Sequence, residues 1–443
     1  MMRLSGIIGS VILGCCVVAA GLAQPVSAPL TLRAAVVIAL QNNSQIEQAQ
    51  EAVTAAESKV TESRYSLYPQ MTIQASYARL GPVSTFSVPM GPAGPVITMK
   101  FGLENSYNAI LSIQRQLFDW GRTGRSIEMG EAGVKMSQNA HQSAQLSVAH
   151  QVVQFYHGML VSREAIKVFD QNISSMETRL ASMRKRFEFG MSSRFDVLTM
   201  EVQLASLKGR RIEMENNLTK LGFLFNRLLG RSLDTSIELR DSLVFEPVSP
   251  DADSLEALAI RRRPEIAQFA AQEELLLRQL EFTRTFDKPM LALNLAWGVR
   301  NGFFPNPDVL RGNWNASVVA SYPLFDGFRA SAQSMQAEVS HRTARLRTEE
   351  MRQLALLDVR QALADLIMNR ERVEIEALKS KQAEEALRIA EDRFAKGLMS
   401  TQDLLDAQSA WEGARLGHLQ ALYSYALSKF AVDKSTGALP VSP

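Results

Sequence analysis

Apolar residues spaced alternately three and four positions apart dominate two parts of the chain. In the first part, this spacing covers residues 152–187 and resumes over residues 197–228, with Ser162 and Arg211 as polar exceptions. Sustained spacing of this kind predicts helices that pack along a coiled-coil interface. Because the break between the two runs is short, we expect an antiparallel hairpin. A helix over residues 122–189 would be about 100 Å long, which predicts a projecting rod.

Four shorter segments alternate apolar with small or polar residues. Each is about ten residues long, the length that a tilted strand needs to cross a bilayer. A soluble sheet packed on helices is the alternative. In lipid, four strands would need other chains to close their edges. The apolar positions are Met71, Ile73, Ala75 and Tyr77; Tyr107, Ala109, Leu111 and Ile113; Leu291, Leu293, Leu295, Trp297 and Val299; and Trp314, Ala316, Val318, Ala320 and Tyr322.

Two Gly/Pro-rich stretches, one from Gly81 and one from Arg300, separate these segments in pairs. Glycine and proline are typical of turns and loops. We therefore expect both stretches to be hairpin connections without strands of their own, at the extracellular end of the sheet.

The chain contains an internal repeat. The phrase Arg-Phe-x-x-Gly-x-x-Ser-x-x-Asp-x-Leu begins at Arg186 and again at Arg393, and the same offset of 393 − 186 = 207 aligns QLFDWGR with PLFDGFR. Such self-similarity predicts two copies of one structural unit. The unit would be a helix, two strands, and a long helical hairpin. The predicted divisions are a signal peptide (1–23), a first repeat (24–230), a linker (231–253), and a second repeat with a C-terminal tail (254–443).

The repeated phrase marks the predicted turn of each helical hairpin. A glycine stands where a helix end favours a residue with positive φ. A Ser-x-x-Asp pattern follows, which is typical of a capping box at the start of the next helix. We interpret capping as the main role of these side chains and any role in a pore as secondary. The residues are Gly190, Ser193 and Asp196 in the first turn and Gly397, Ser400 and Asp403 in the second.

The two hairpins differ in their apolar residues. Six large residues of the first hairpin correspond to alanine in the second. Alanine buries less apolar area, so we expect the second hairpin to be held less firmly and to move more easily. The pairs are Phe155 and Ala362, Met176 and Ala383, Met183 and Ala390, Met200 and Ala407, Leu207 and Ala414, and Met214 and Ala421.

Composition and motifs argue against several classes of function. The 48 basic and 46 acidic residues nearly balance, which argues against nucleic-acid binding. Residues 1–23 have the pattern of a secretory signal peptide and contain both cysteines, so the exported chain would have no disulfide. Cleavage before Cys15, which would give a lipoprotein, is an alternative.

No phosphate-binding glycine loop, HExxH motif or cysteine nucleophile follows the signal peptide. We therefore expect no enzyme, no cofactor and no metal site, and the scattered histidines, including His150 and His157, lack an accompanying carboxylate.

The duplicated plan, the Leu-Phe-Asp triplets from Leu117 and Leu324, and the repeated turn together resemble the TolC family of outer-membrane efflux proteins. The resemblance implies an α+β membrane protein that forms a homotrimer. Four strands from each of three chains would close a 12-stranded β-barrel, continued into the periplasm by a long α-helical coiled-coil barrel. A periplasmic coiled-coil scaffold that never enters a membrane is the competing interpretation.

The resemblance also implies a function, that of the outer-membrane channel in a tripartite export system. Such a channel is a passive duct for small molecules or secreted proteins. Its partners would be a periplasmic adaptor, also called a membrane fusion protein, an inner-membrane transporter and outer-membrane lipid.

The resemblance assigns roles at the hairpin tips. Asp403 and Asp406 match the family's ring of carboxylates at the periplasmic entrance. Phe394 and Met399 replace an aromatic hydroxyl and a basic residue that hold the closed tip in some members, so another means of closure is needed. We expect the turns to dock the adaptor. The docking residues would be Gly190, Met191, Ser192 and Ser193 with Gly397, Leu398, Met399 and Ser400.

Overall fold

The computed structural model describes residues 29–89, 94–303 and 306–440. The predicted signal peptide and the possible lipidation site at Cys15 lie outside these residues. The helices are α1 (Leu32–Asn42), α2 (Ser44–Tyr65), α3 (Arg122–Glu188), α4 (Arg194–Leu228), α5 (Ala252–Arg262), α6 (Pro264–Thr283), α7 (Arg329–Ala395) and α8 (Thr401–Ser435); the strands are β1 (Gln70–Arg79), β2 (Ser84–Pro89), β3 (Val96–Phe101), β4 (Asn105–Phe118), β5 (Met290–Arg300) and β6 (Arg311–Ser321).

Two long helical hairpins form most of the molecule. The helices α3 and α7 each contain 67 residues, and their return helices α4 and α8 each contain 35. At about 1.5 Å per residue, α3 and α7 are each about 100 Å long. The predicted rod and its return helix are confirmed. Phe187, at the end of the predicted apolar series, is exposed. None of the described helices is both long enough and apolar enough to cross a membrane.

A four-stranded antiparallel sheet has the order β1-β4-β5-β6. Met71 lies opposite Ile113, and Leu111 lies opposite Trp297, which in turn lies opposite Trp314. Since neighbouring strands in register share their faces, the apolar positions of all four segments form one continuous face. The four predicted strands and their apolar face are confirmed.

The stretch from Gly81 differs from the prediction. It contains β2 and β3, which pair as a separate two-stranded sheet. The described residues therefore contain six strands, and the expectation of a connection without strands was wrong. The two strands are rich in β-branched residues (Thr85 and Val88, then Val96 and Ile97), which favour extended structure. The flanking glycines and prolines obscured this signal.

The helices follow the order of the strands. Next to the sheet, the neighbours are α2, α3, α6 and α7, because α2 leads into β1, β4 leads into α3, α6 leads into β5 and β6 leads into α7. Beyond α2 and α6, the order is α4, α3, α8 and α7. The helices α3 and α7 thus run through both layers, and the two hairpins meet where α3 packs on α8.

The Leu-Phe-Asp triplets lie where a strand passes into a long helix. The carboxylate of Asp119 accepts a hydrogen bond from the Thr123 N–H at 2.9 Å, and Asp326 accepts one from the Ala330 N–H at 2.8 Å. In both turns two consecutive residues have positive φ, and one of the two is glycine. Each aspartate satisfies a backbone donor at the start of a helix, where four N–H groups have no partner within the helix.

Residues 239–248 attach to both hairpins. The Tyr156 hydroxyl of α3 donates to Asp241 Oδ2 at 2.7 Å, and the Tyr425 hydroxyl of α8 donates to the Glu246 carbonyl at 2.8 Å. Burial raises the pKa of Tyr156, so its hydroxyl stays a hydrogen-bond donor. The segment that connects the two halves of the chain is therefore fixed to each of them.

Candidate functional site

The two hairpin turns have the same backbone geometry. Gly190 has φ +72° and Gly397 has φ +73°. The N–H groups of Met191 and Leu398 donate to carbonyls five residues earlier, at 2.8 and 2.9 Å. This is a Schellman arrangement, in which a residue with positive φ ends a helix and satisfies its last carbonyls. A side chain at either glycine would be strained in this conformation.

The serine and aspartate of each turn form a helix cap. Asp196 N–H donates to Ser193 Oγ at 3.1 Å, and Ser193 N–H donates to the Asp196 carboxylate at 3.2 Å. In the second turn, Asp403 N–H donates to Ser400 Oγ at 3.1 Å and Ser400 Oγ donates to Asp403 at 2.7 Å. The hydrogen bond from Ser193 keeps the pKa of Asp196 below its ordinary value. Within the described residues, the hydrogen bond from the serine N–H to the aspartate carboxylate is present only in the first turn.

The tips of the two hairpins contact each other. The Arg186 guanidinium donates to the Ala395 carbonyl at 3.3 Å and lies 5.6 Å from the centre of the Phe394 ring. The Thr401 side chain, at the start of α8, also contributes to lowering the pKa of Asp196. Sequence reasoning missed Arg186, because its counterpart Arg393 occupies the same motif position and nothing in the motif separates the two.

An apolar cluster joins the two tips directly. Its buried members from the first hairpin pack against three from the second, and Phe394 and Met399 lie at its margin. Phe394 and Met399, which replace an aromatic hydroxyl and a basic residue of some family members, therefore make apolar contacts between the hairpins. The buried residues are Leu180, Met183, Val197 and Met200 with Leu387, Ala390 and Leu404.

Polar side chains also cross the contact between the hairpins. Arg179 of α3 donates to Glu391 of α7 and to Gln408 of α8, the latter at 2.6 Å. Arg179 lies more than two helical turns before the end of α3, next to Leu180 of the apolar cluster. One arginine of the first hairpin thus binds both helices of the second.

A buried carboxylate forms a second polar contact. Glu412 of α8 is 2% exposed. It accepts hydrogen bonds from Arg210 of α4 at 2.5 Å and from Asn172 of α3 at 3.2 Å. Burial raises the pKa of Glu412, because the charged form loses hydration, and the nearby Arg210 opposes this shift. The second hairpin therefore inserts an acidic group between the helices of the first.

Asp403 and Asp406 lie close together on the surface of α8. Both are exposed, and Asp406 accepts a hydrogen bond from Gln402 Nε2 at 2.9 Å. In the part of the chain that the structure describes, neither carboxylate has a cationic partner within ion-pair distance. Two unpaired carboxylates three residues apart form an acidic patch at the tip of the second hairpin.

The turn residues predicted to dock an adaptor differ in exposure. Met191 and Leu398 are exposed, together with Phe189 and Phe195 beside the first turn. Met399 is half-buried against the apolar cluster that joins the tips. The first tip therefore presents the larger apolar surface.

The chain matches known proteins over most of its length. The family model described as outer membrane efflux protein matches residues 35–221 and 255–438. The alkaline protease secretion protein AprF of Pseudomonas aeruginosa is 22% identical over 72% of this chain and 67% of its own length. The outer membrane protein TolC of Vibrio cholerae is 21% identical over 90% of this chain and 89% of its own.

Solved structures share the fold. The crystal structure of the CmeC outer membrane channel of Campylobacter jejuni superposes with a TM-score of 0.78 and 20% identity, over 92% of this chain and 85% of that one. This similarity covers both hairpins and the sheet. The family model and the TolC-like neighbours together describe export channels and not enzymes. The protein is located in the outer membrane and extends into the periplasm. It belongs to the outer membrane efflux protein family.

Proposed function

We propose that three copies of this chain form a closed duct across the outer membrane and the periplasm. The main support for this proposal is that the four-stranded sheet of a single chain has two unpaired edges. Within the described residues, β1 and β6 each have one edge without a partner strand. Unpaired strand edges are not tolerated in lipid, so β6 of one copy must pair with β1 of the next.

In the single chain, the two outermost helices of the helical layer also have exposed apolar faces. The outermost helices, α4 and α7, expose apolar residues at spacings typical of a helix-packing face. Exposed apolar faces of this length mark contact surfaces, so α7 of one copy would pack on α4 of the next. The exposed residues include Phe195, Leu198, Val202 and Ile212 on α4 and Met335, Val339, Leu346, Leu357, Met368, Ile375 and Leu378 on α7.

The number of copies follows from the width of the barrel. Two copies would give an eight-stranded barrel, and side chains fill the interior of barrels of that size. Three copies give a 12-stranded barrel with room for a lumen. Residues 24–230 and 254–443 would each contribute two of the four strands and one hairpin of every copy.

The face of the sheet supports insertion in lipid over a soluble scaffold. On the apolar face, Ile73 is 80% exposed and Trp314 is 77% exposed in the single chain. A water-soluble scaffold would not leave such a face uncovered. The opposite face, with Gln74, Asn294 and Ser317 among its residues, would line the lumen.

The proposed duct is passive and depends on partners. The exposed tips, with Met191 and Leu398, would dock a periplasmic adaptor connected to an inner-membrane transporter. Asp403 and Asp406 of three chains would place six carboxylates around the entrance. Because the family includes AprF, whose name describes protease secretion, and efflux channels, both proteins and small molecules are candidate cargo.

Paired substitutions on neighbouring strand residues test the barrel. Leu295 lies opposite Ile113 and Ala316 on the apolar face, whereas Asn294 lies on the other face. Leu295→Asp should abolish carbonate-resistant membrane association and native trimer mass, and Asn294→Asp should preserve both. Equal tolerance of the two changes would contradict the assignment of the faces. Leu293 is less suitable, because the facing Arg115 could pair with an introduced aspartate.

A further inference from the structure

Two arginines face each other at the end of the sheet farthest from the helices. Arg300 is the last residue of β5 and lies directly opposite Arg311, the first residue of β6. Both side chains are exposed. Like charges in directly opposed positions destabilise a strand pair, so this arrangement is unfavourable for the hairpin alone.

Within the described residues, no carboxylate lies within ion-pair distance of Arg300 or Arg311. The exposed Asp308 stands in the loop between them but pairs with neither. The Arg300 guanidinium instead lies 4.9 Å from the centre of the Phe303 ring. A ring face attracts a cation and restrains it, while leaving its N–H groups able to donate elsewhere.

The register places both arginines on the polar face of the sheet. Arg300 also lies opposite Asn108, while Asn313, two residues from Arg311, lies opposite Gly298. The apolar side chains of these strands, including Trp297 and Trp314, lie on the other face. The polar face is otherwise uncharged along β5 and β6, so these guanidinium groups are its only charges there.

We propose that Arg300 and Arg311 form an oxyanion-binding ring at the extracellular exit of the duct. The inference rests on the proposed trimer, in which the polar face lines the lumen and three copies bring six guanidinium groups together. Guanidinium groups stay charged and bind carboxylate and phosphate oxygens with paired N–H donors. The ring would bind the carboxylate or phosphate groups of anionic cargo. The duct would then be acidic at its entrance and basic at its exit.

Block of conductance by citrate tests this site. Purified protein is reconstituted in a planar bilayer of zwitterionic lipid, which removes anionic lipid headgroups as an alternative ligand. Citrate is added to each side in turn, and the concentration for half-maximal block is measured. The variants are Arg300→Gln with Arg311→Gln, the same pair changed to lysine, and Arg79→Gln. Arg79 ends β1 at the same end of the sheet, but it shares the apolar face with Tyr77.

We expect citrate to block the wild-type channel from one side only. Each lost contact between opposite charges weakens binding about fivefold, so the glutamine pair should raise the blocking concentration by at least that factor. Arg79→Gln should stay within about twofold of wild type. The lysine pair keeps the charges but lacks the paired N–H donors, so its blocking concentration should lie between those of wild type and the glutamine pair. Block should also weaken from 0.1 to 1 M salt, as the Debye length falls from about 10 to about 3 Å.

The outcomes separate this site from the channel itself. A conducting protein in which the glutamine pair leaves citrate block unchanged, or in which Arg79→Gln weakens it equally, would overturn the exit site alone. A trimer that forms no pore in any lipid would overturn the proposed channel, and the exit site with it.

Discussion

The two hairpins have the same lengths and turns but different interiors. The first hairpin buries Met159, Met176 and Met200 almost completely. The second buries more alanines and polar residues, beside fewer large residues such as Leu366 and Tyr425. Helix length and turn geometry therefore do not determine which contacts stabilise a hairpin. The buried polar residues of α7 and α8 are Thr348, Asn369, Ser380, Gln408, Glu412, Ser428 and Ser435.

The second hairpin compensates through contacts with the first. Leu405 of α8 is buried in a cluster with Phe169, Met176 and Leu207 of the first hairpin. Leu387 and Leu404 are buried in the cluster at the tips. Since a hairpin with a weaker interior depends more on its neighbour, the first hairpin would form the fixed wall and the second the movable part of the entrance.

The largest expected effect is on the interior of the first hairpin. Met176 is fully buried, so Met176→Ala should lower the free energy of unfolding by about 2–5 kcal/mol. Met191→Ala, at the exposed tip, should change it by less than about 0.5 kcal/mol. Denaturant midpoints of the purified protein provide the measurement. Similar losses for both variants would show that the first hairpin is not held by its interior.

The next effect concerns the buried carboxylate between the hairpins. Glu412→Ala leaves Asn172 without its acceptor, which should cost about 1–3 kcal/mol. Hydrogen exchange should become faster in α8 and stay unchanged in α4. Glu412→Gln, which keeps a hydrogen-bond acceptor, should have a smaller effect. Equal acceleration in α4 and α8 would contradict the separate movement of the second hairpin.

Through Glu412, the stability of the protein should depend on pH in a defined direction. Burial raises the pKa of Glu412 in the folded protein. Its contribution to stability is therefore fully present below its ordinary pKa and is lost as the pH rises through the raised value. Over the pH interval just above the ordinary pKa of a glutamate, the stability of Glu412→Gln should increase relative to wild type. A constant difference over this interval would show that Arg210 fully compensates for burial.

The acidic patch should affect conductance more than stability, because Asp403→Ala removes the hydrogen bond from Ser400 Oγ but keeps the one from its own N–H to Ser400 Oγ. Asp403→Ala combined with Asp406→Ala should remove block by multivalent cations in planar bilayers, because six carboxylates would no longer surround the entrance. Asp392→Ala is the matched control, since Asp392 is an exposed carboxylate near the same turn that already pairs with Lys396 at 2.6 Å. Block that persists in the double variant would place the cation site elsewhere.

The smallest effect should come from filling the two half-buried alanine positions of the second hairpin, Ala383 and Ala407. Ala383 and Ala407 are half-buried, so Ala383→Met with Ala407→Leu should lengthen closed times in single-channel records without changing trimer yield. Ala390 and Ala414 are 3% and 1% exposed, and larger residues there should cost about 1–3 kcal/mol by overpacking. Unchanged gating in the first pair would show that the alanines have no role in it.

Local features of the chain were predictable because their causes are local. The apolar spacing predicted the second half of α3 and nearly all of α4, and the glycine and Ser-x-x-Asp of each turn predicted where one helix ends and the next begins. The alternation in four segments predicted β1, β4, β5 and β6. The hairpin of β2 and β3 was missed, since glycine and proline on both sides concealed two short strands.

The candidate site was predictable only in part. Asp403 lies in the repeated motif, and the family resemblance indicated Asp403 and Asp406 together. Within the described residues, both carboxylates are exposed and have no ion pair. The contacts of Arg186, Arg179 and Glu412 could not, because each reaches the other hairpin. Asn172 and Glu412, for example, are 240 residues apart in sequence.

The repeated motif shows which features follow from the sequence and which depend on the tertiary structure. Phe187 and Phe394 occupy the same place in the two copies, and so do Arg186 and Arg393. The sequence alone determined that both copies form a long helix, a tight turn and a return helix, since periodicity and capping act within a few residues. Only the tertiary structure decided that Phe394 lies at the cluster joining the tips while Phe187 is exposed. The reason is that α3 packs on α8, so equivalent positions in the two hairpins face different neighbours.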